Sequence, residues 1–265
     1  MLSAEGLAFK ATRMVKVVRL IWRLDYSVSF AYLDRRGAAL NALMNTVPDF
    51  WQAIGDGALP HSFAGNRTRD GVVRTISLET QALNGTIKWS AGIPLADVLS
   101  DANFRSLDKI VHELAKVCEL KVLKRGGLRL ICVWPGQAPG AAEQIRDRYR
   151  SHAEEVLGPI TDVATTVEGE GEDRISYRAQ FGPYDSKNVS GALERNLQPE
   201  EIEALKDNTM FLDIDLYERN FSFAEHSLFR WSETKVAKAA AFVAKFATKA
   251  AQDKGGDNGG AGAKH

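Results

Sequence analysis

The clearest pattern of apolar and polar positions is the run MFLDIDLYE at residues 210–218. Apolar residues fill its even-numbered positions up to 216, and Asp213 and Asp215 lie between them. A period of two predicts a β-strand with one buried face. Because the apolar positions are continuous, we expect the strand at 209–218 to be central in a sheet. Ile214 is then deeply buried, and the two carboxylates lie on the opposite face.

Similar alternation predicts further strands, separated by glycine-containing turns. Asn84-Gly85 is a strong two-residue turn signal and predicts a hairpin. Gly126-Gly127 indicates either a tight turn between two strands or a bulge within one. The other predicted strands are 14–33, 72–83, 86–91, a segment ending at Trp134, 160–167 and 174–181.

Apolar residues at helical spacing predict the helices. Pro48 lies inside the first helical pattern and predicts a kink or break near Val47. Residues 55–70, rich in Gly, Pro, Asn and His, are expected to form a loop. The predicted helices are 35–54, 101–117, 138–156, a short one near 199–206, and a closing helix from Ser222 or Ser232 to Ala250.

The order of these elements indicates an α+β fold. Strand, helix, hairpin and helix fill residues 1–118, and a similar order fills residues 119–251. We therefore predict two βαββ-type halves with antiparallel or mixed sheets, helices packed on one face and a closing C-terminal helix. Residues 252–265 are glycine-rich and predicted to be a disordered tail. The alternative is one mixed sheet with helices on one face.

Composition limits the function classes. The 265-residue chain has 34 basic and 34 acidic residues, so its net charge of zero gives no global electrostatic case for nucleic acid. Cys118 and Cys132 lie in apolar surroundings and are expected to be reduced, buried thiols. Because no apolar run approaches about 18 residues and no leader pattern is present, we expect a cytoplasmic protein without membrane association.

Asp213 and Asp215 are the first candidates for chemistry, since side chains two apart on a strand share a face about 7 Å apart. Two such carboxylates could hold a divalent cation or act as an acid and base. The alternative, which we favour, is that they form cross-strand ion pairs with arginines of neighbouring strands. Suitable alternating positions on predicted strands are occupied by Arg19, Arg23, Arg129, Arg174 and Arg178, of which we expect the first three to be the partners.

Local positive charge provides a second set of candidates. Lys121, Lys124 and Arg125 form the densest basic cluster, and Arg67, Arg69 and Arg74 form another. Both sets flank loops or strand ends where they could contact phosphate, but we favour solvated loop charge as their explanation. No phosphate-binding glycine motif is present. Among the five histidines, His226 is of interest because it follows the central strand.

Three segments carry a family resemblance: LKRGGLRLICVW, FLDIDLYE and AEHSLFRWSETKVAK. They resemble the GLRY-x-N strand, the late LLDIDVY strand and the closing segment of a sporadically distributed family of uncharacterised bacterial proteins, each about 250 residues long. Leu130 and Cys132 stand where that family usually has Tyr and Asn. The resemblance implies no activity, but it suggests an accessory protein of mobile gene neighbourhoods, with a defence or toxin-linked role as an association only.

These observations predict a non-enzymatic binding or protein-interaction module. We expect no cofactor, no metal and no catalytic residue, and a partner that is another protein or a second copy of the chain. The first alternative is a nucleotide- or metal-dependent enzyme that uses Asp213, Asp215 and nearby arginines. The second alternative is nucleic-acid binding through the local basic clusters.

Overall fold

A computed structural model gives the fold of the chain. It describes residues 11–29, 31–46, 53–56, 63–120, 122–134, 165–171, 174–184, 209–222 and 228–256. The strands are β1 (Lys16–Asp25), β2 (Ala53–Asp56), β3 (Phe63–Arg69), β4 (Val72–Leu78), β5 (Ala82–Pro94), β6 (Val122–Trp134), β7 (Thr165–Glu170), β8 (Ser176–Tyr184) and β9 (Thr209–Ser222). The helices are α1 (Ala31–Asp34), α2 (Arg36–Thr46), α3 (Ala102–Val117) and α4 (Leu228–Gly256), with a 3₁₀ helix at Leu95–Ser100.

The nine described strands form one sheet in the order β2-β3-β4-β5-β1-β6-β9-β8-β7. Every neighbouring pair is antiparallel. The protein is therefore a mixed α+β protein built on an antiparallel sheet. The strand predicted to be central, β9, is interior between β6 and β8, and the middle position belongs to β1.

The core lies on one side of this sheet because alternate strand residues are apolar and buried. Leu128, Leu130 and Cys132 of β6 are fully buried, as is Leu212 of β9, and the predicted burial of Ile214 is confirmed at 2% exposure. Leu20, Trp22 and Leu24 of β1 join the same core, together with apolar residues of α2, α3 and α4.

The predicted turn at Asn84-Gly85 is wrong, because both residues lie inside β5 and pair with β1 and β4. The β4–β5 hairpin closes instead where the Glu79 backbone N–H donates to the Ala82 carbonyl at 2.9 Å. Gly85 serves a packing purpose: a Cβ there would lie 3.2 Å from Val111 and 3.4 Å from Leu107 of α3. A glycine in a strand often marks such a close approach.

Gly126-Gly127 also lies within a strand, so the predicted turn between two strands is wrong. The pairing of β6 with β9 keeps one register past both glycines, through Gly126 opposite Glu218 and Gly127 opposite Tyr217. A glycine pair is therefore a weaker stop signal than the apolar alternation that continues on both sides of it.

The N-terminal third departs most from the prediction. β1 ends at Asp25 rather than continuing to residue 33, and α1 follows it. β2 occupies the end of the predicted helix, and β3 occupies part of the predicted loop. The sequence FAGNRTR of β3 lacks apolar alternation. Its pairing with both β2 and β4 provides hydrogen bonds that local propensity does not predict.

Helices were predicted more reliably than the N-terminal strands, because an apolar stripe and a capping residue lie within the helical segment itself. The predicted helix at 101–117 is confirmed as α3, and the Phe104 backbone N–H donates to Asp101 at 2.9 Å as an N-cap bond. The closing helix is confirmed as α4 and reaches Gly256, into the segment predicted to be tail. The helices predicted at 138–156 and near 199–206 lie outside the described residues. In the part of the chain described, no helix has the length and apolarity to span a membrane.

Candidate binding face of the sheet

The side chains that alternate with the core positions form a second face, here called the polar face. On β6 and β9 it carries Arg125, Arg129, Asp213, Asp215 and Tyr217, all partly exposed. These residues are cross-strand neighbours, since Arg129 lies opposite Asp215 and Ile131 lies opposite Asp213. The alternation seen in the sequence therefore does place both carboxylates on one face with arginines.

The polar face is not uniform along its strands. Ile131, Val133 and Phe211 lie on it and are only 2–5% exposed. Their positions follow from the register, in which Val133 lies opposite Phe211. The charged groups are thus concentrated toward the other end of β6 and β9, beside a short apolar patch.

The predicted pair between Arg129 and Asp213 is present, and it is bidentate. The Arg129 Nε donates to Asp213 Oδ1 at 2.7 Å, and Arg129 Nη2 donates to Asp213 Oδ2. The bond runs diagonally, because the residue directly opposite Arg129 is Asp215. Such a fork fixes both side chains and occupies both oxygens of the carboxylate.

Asp215 pairs with Arg125 rather than with Arg19, Arg23 or Arg129. The Arg125 Nη2 donates to Asp215 Oδ2 at 2.6 Å. Arg125 was predicted as part of a basic cluster for phosphate, but here it contributes to the sheet face. Its guanidinium also lies 4.5 Å from the Tyr217 ring centroid, and Arg219 lies 5.6 Å from the same ring. Cations over an aromatic ring are attracted by its quadrupole.

The two arginines of β1 have different surroundings. Arg23 forms an ion pair with Asp25 on its own strand at 2.7 Å. Asp25 in turn lies 3.9 Å from Arg125, which links β1 to the pair on β9. Arg19 is 6% exposed and lies on the same face, opposite Ile131. The predicted set of arginines is therefore gathered on one face, although only Arg129 bonds to Asp213 as expected.

A pocket of about 130 Å³ opens on the polar face at the charged end of β9. It is lined by Arg129, Arg178, Gln180, Asp213 and Asp215. Arg178 and Gln180 belong to β8, where they lie opposite Asp215 and Asp213. Arg178 was among the arginines considered as partners of the carboxylates, whereas Gln180 was not predicted, although the alternation of residues 174–181 indicates that the two share a face.

Burial changes the acidity of the pocket groups. Burial raises the pKa of Asp215 above its ordinary value, and the nearby guanidinium groups of Arg125 and Arg129 oppose that change. The hydrogen bonds that Arg129 donates to Asp213 raise the pKa of Arg129. Both ion pairs are partly covered, so solvent screens their attraction less than that of an exposed surface pair, but burial adds a desolvation cost that opposes it.

A divalent cation would have to compete with the arginines for these carboxylates. Both Asp213 oxygens accept from Arg129, and one Asp215 oxygen accepts from Arg125. Within the described residues, no group of three or more His, Cys, Asp or Glu side chains is placed to hold a metal. The geometry therefore favours recognition by hydrogen bonds over Lewis-acid chemistry at this face.

A second polar cluster, on the core side, was not predicted from the sequence. Trp22 Nε1 donates to Ser232 Oγ at 3.1 Å, and Ser232 Oγ donates to Asp108 Oδ1 at 3.3 Å. Burial raises the pKa of Asp108 to about 7. These residues lie on β1, α4 and α3, so only the tertiary fold brings them together.

Two neighbouring residues of α4 extend this cluster to β9. The fully buried Lys235 donates to Glu218 Oε1 at 2.8 Å, and Trp231 Nε1 donates to Glu218 Oε2 at 2.8 Å. Lys235 also lies 4.4 Å from the Trp231 ring centroid. The segment RWSETK, part of the family resemblance, therefore attaches α4 to the sheet.

The remaining candidates that the structure describes lie apart from the pocket. His226 and Lys121 lie outside the described residues, and Lys124 is exposed. Arg69 pairs with Asp70 at the surface, whereas Arg74 is buried and donates to Asn103 at 2.9 Å. Cys118 and Cys132 are free and buried. Burial raises the pKa of the Cys118 thiol to about 11 and raises that of Cys132 as well, so neither is an activated nucleophile.

The fold and this face define an α+β protein with a polar, partly exposed sheet surface. Comparisons with family models, with curated proteins and with solved structures gave no match.

Proposed function

We propose that the protein is a non-enzymatic binding module and that a partner protein docks on the polar face at the pocket. The observation that carries this proposal is the pre-organisation of the charged groups. Arg129, Asp213, Arg125 and Asp215 are held by ion pairs on interior strands, yet the side chains keep 13–39% exposure. Groups fixed on a rigid sheet lose little entropy when a partner binds.

The mixed charge of the face supports a protein partner over nucleic acid. Each arginine that lines the pocket has an acidic neighbour: Arg129 pairs with Asp213, and Arg178 pairs with Glu168 at 3.1 Å. Nucleic-acid surfaces instead carry an excess of positive charge. Complementary mixed charge sets specificity between proteins. A second copy of this chain is the alternative occupant.

The surroundings of Asp215 support an enzymatic function as a second candidate. Asp215 lies in the pocket with a raised pKa, and a carboxyl group of that kind is typical of acid–base chemistry. A nucleotide- or metal-dependent enzyme would use Asp213 and Asp215 with the adjacent arginines. This alternative requires a ligand that opens the Arg129–Asp213 fork.

The biological setting rests on the family resemblance alone. We infer a bacterial cytoplasmic protein that is accessory to a mobile defence or toxin-linked system, without a cofactor and without membrane association. No catalytic residue is assigned.

The finer architecture is also part of the proposal. We infer two related halves whose helices pack on one side of the sheet. Outward from β1 the strands are β5, β4, β3 and β2, and outward from β6 they are β9, β8 and β7. In each half the strand next to the centre leads to a helix, α3 or α4. Sequence profiles built separately for residues 1–118 and 119–251 test this inference: matches at equivalent strand positions support duplication, and their absence in deep profiles contradicts it.

The binding function is tested with charge reversal at the pocket. Arg178→Glu alters an exposed pocket residue, and Lys109→Glu makes the same charge change on the exposed side of α3. The wild-type protein and both variants are each used to isolate partners from extracts of the cells in which the protein is naturally present. A candidate retained by the wild type and by Lys109→Glu is then purified and its Kd measured. We expect Arg178→Glu to weaken binding by about tenfold or more.

Two results would contradict the proposal. One is a purified partner that binds all three forms equally. The other is a gain of several degrees in the melting temperature with Mg²⁺, Mn²⁺ or a nucleotide, seen for the wild type but not for Asp213→Asn or Asp215→Asn. That result assigns the pocket to the enzyme alternative.

A further inference from the structure

Three groups in the pocket have unused hydrogen-bonding capacity. Arg178 uses its Nε for Glu168, which leaves its two terminal nitrogens, and its side chain is 59% exposed. Asp215 uses Oδ2 for Arg125, which leaves Oδ1. Within the described part of the chain, the side-chain amide of Gln180 has no hydrogen-bond partner. The pocket therefore offers two kinds of donor and one anionic acceptor.

The charge of the pocket limits what can complete these bonds. Arg129 and Arg178 are balanced by Asp213 and Asp215, so the lining has no net formal charge. A ligand with a large net charge gains attraction from one pair and repulsion from the other. A small group that carries both a negative and a hydrogen-donating end gains from both.

The free groups suit the two ends of one amino acid unit, a carboxylate and an N–H donor. Arg178 and Asp215 are directly opposite across β8 and β9. Opposite residues have Cβ atoms about 4.5–5.5 Å apart. A carboxylate matches the paired terminal nitrogens of an arginine. The nitrogen attached to the α-carbon of such a unit carries an N–H, which is the donor for the free oxygen of Asp215. The pocket volume of about 130 Å³ is far above the ~10–15 Å³ that one water needs.

We propose that this pocket binds an α-amino carboxylate group, with Arg178 and Gln180 contacting the carboxylate and Asp215 accepting from the nitrogen. The group could belong to a free amino acid or to the C-terminal residue of a partner chain. The inference rests on the proposed role of the polar face as a binding surface, and it names the chemistry recognised there.

The test uses the full chain and three probes: L-alanine, N-acetyl-L-alanyl-L-alanine and the C-terminal amide of the latter. Binding is followed through the Nε–H resonance of Arg178 in ¹H–¹⁵N spectra, assigned by its loss in Arg178→Gln. We expect saturable shifts with a carboxylate probe and none with the amide. Saturation by L-alanine identifies a free amino acid, and saturation by the acetylated dipeptide identifies a chain terminus.

Variants separate recognition at the pocket from general charge effects. Because one charge-assisted bond is lost, Asp215→Asn is expected to weaken binding of the responding probe by about tenfold, as measured by calorimetry. Lys109→Gln removes an exposed positive charge from α3, away from the polar face, and is expected to leave binding unchanged. Equal weakening by both variants, or equal binding of acid and amide, would overturn the inference.

The two proposals fail in different ways. If Arg178→Glu abolishes binding of a purified partner but neither carboxylate probe binds, the ligand chemistry is wrong and the docking face stands. If L-alanine saturates the pocket but no partner depends on Arg178, the pocket binds a small molecule and the docking face is wrong.

Discussion

Asp108 is a carboxyl group enclosed between α3, α4 and β1. Its neighbour Ser232 is fully buried, and Trp22 lies beyond Ser232 and stacks on Phe104 at a centroid distance of 5.0 Å. Burial raises the pKa of Asp108 from 3.8 to about 7. The folded protein therefore holds a proton over a pH range in which the unfolded chain has lost it.

That proton makes stability dependent on pH. The contribution of neutral Asp108 is complete below about pH 4 and is lost as pH rises through about 7. We expect Asp108 to account for a fall of about 2–3 kcal/mol in the free energy of unfolding between pH 5 and pH 8. Asp108→Asn still accepts from Ser232 but does not ionise, so this fall should be absent. Urea unfolding of both forms at the two pH values measures it, and equal pH dependence would refute it.

At the residue scale, period-two patterns predicted which side chains share a face but not which ones bond. Asp213 and Arg129 were placed correctly because both belong to strands with clear alternation. Arg125 was expected to belong to a basic cluster. Its bond to Asp215 was missed because it depends on the register of two strands about 90 residues apart in the chain. The contact between Trp22 and Ser232 spans 210 positions and leaves no local signal.

Gly85 shows how an element depends on its neighbour. It lies on the core side of β5, where Val111 and Leu107 of α3 approach to van der Waals contact. A methyl group there would crowd two side chains that are fully buried. Gly37, near the start of α2, has nothing within 4 Å of an added Cβ.

We expect Gly85→Ala and Gly37→Ala to have opposite effects. Gly85→Ala should destabilise the protein by about 1–3 kcal/mol through overpacking. Gly37→Ala should be neutral or stabilise it by up to about 1 kcal/mol, because alanine favours helix. Denaturant midpoints of both variants provide the measurement. A stabilising Gly85→Ala would mean that α3 can move away from β5.

At the element scale, sequence patterns succeeded where an element has its own apolar stripe and cap, as α3 does. They failed at β2 and β3, which exist through pairing with neighbours. They also failed at Asn84-Gly85. Glycine is required there because α3, about 20 residues further along the chain, packs closely against β5, and not because the chain turns. The local sequence limits the conformations that a residue can adopt, and tertiary packing selects one of them.

At the scale of the whole molecule, β1 joins the two parts of the sheet by pairing with β5 on one side and β6 on the other. The hydrophobic core is shared, since it includes strands from both parts together with α3 and α4. We therefore expect the protein to unfold in one transition. The α+β class was predictable from the order of elements, but the strand order was not, because no sequence pattern specifies that β1 pairs with β6.

Ile214→Ala tests this cooperativity. Ile214 lies on β9 between β6 and β8, and its side chain is buried in the core, so we expect a loss of about 2–5 kcal/mol in the free energy of unfolding. Far-UV circular dichroism and tryptophan fluorescence should shift to the same lower denaturant midpoint. A loss below about 1 kcal/mol would place β9 at the periphery of the fold, and separate midpoints would show that the parts unfold independently.

The middle position of β1 also has a consequence for synthesis on the ribosome. β1 is complete at Asp25, whereas its partners end at Pro94 and Trp134. At ~5–20 residues per second, β6 follows β1 by roughly 5–20 s. Until β5 is complete both hydrogen-bonding edges of β1 are open, and until β6 is complete one edge stays open, which is the condition under which strands pair with wrong partners. Chaperone binding to the emerging N-terminal segment would protect this protein at the stage when it is most prone to aggregate.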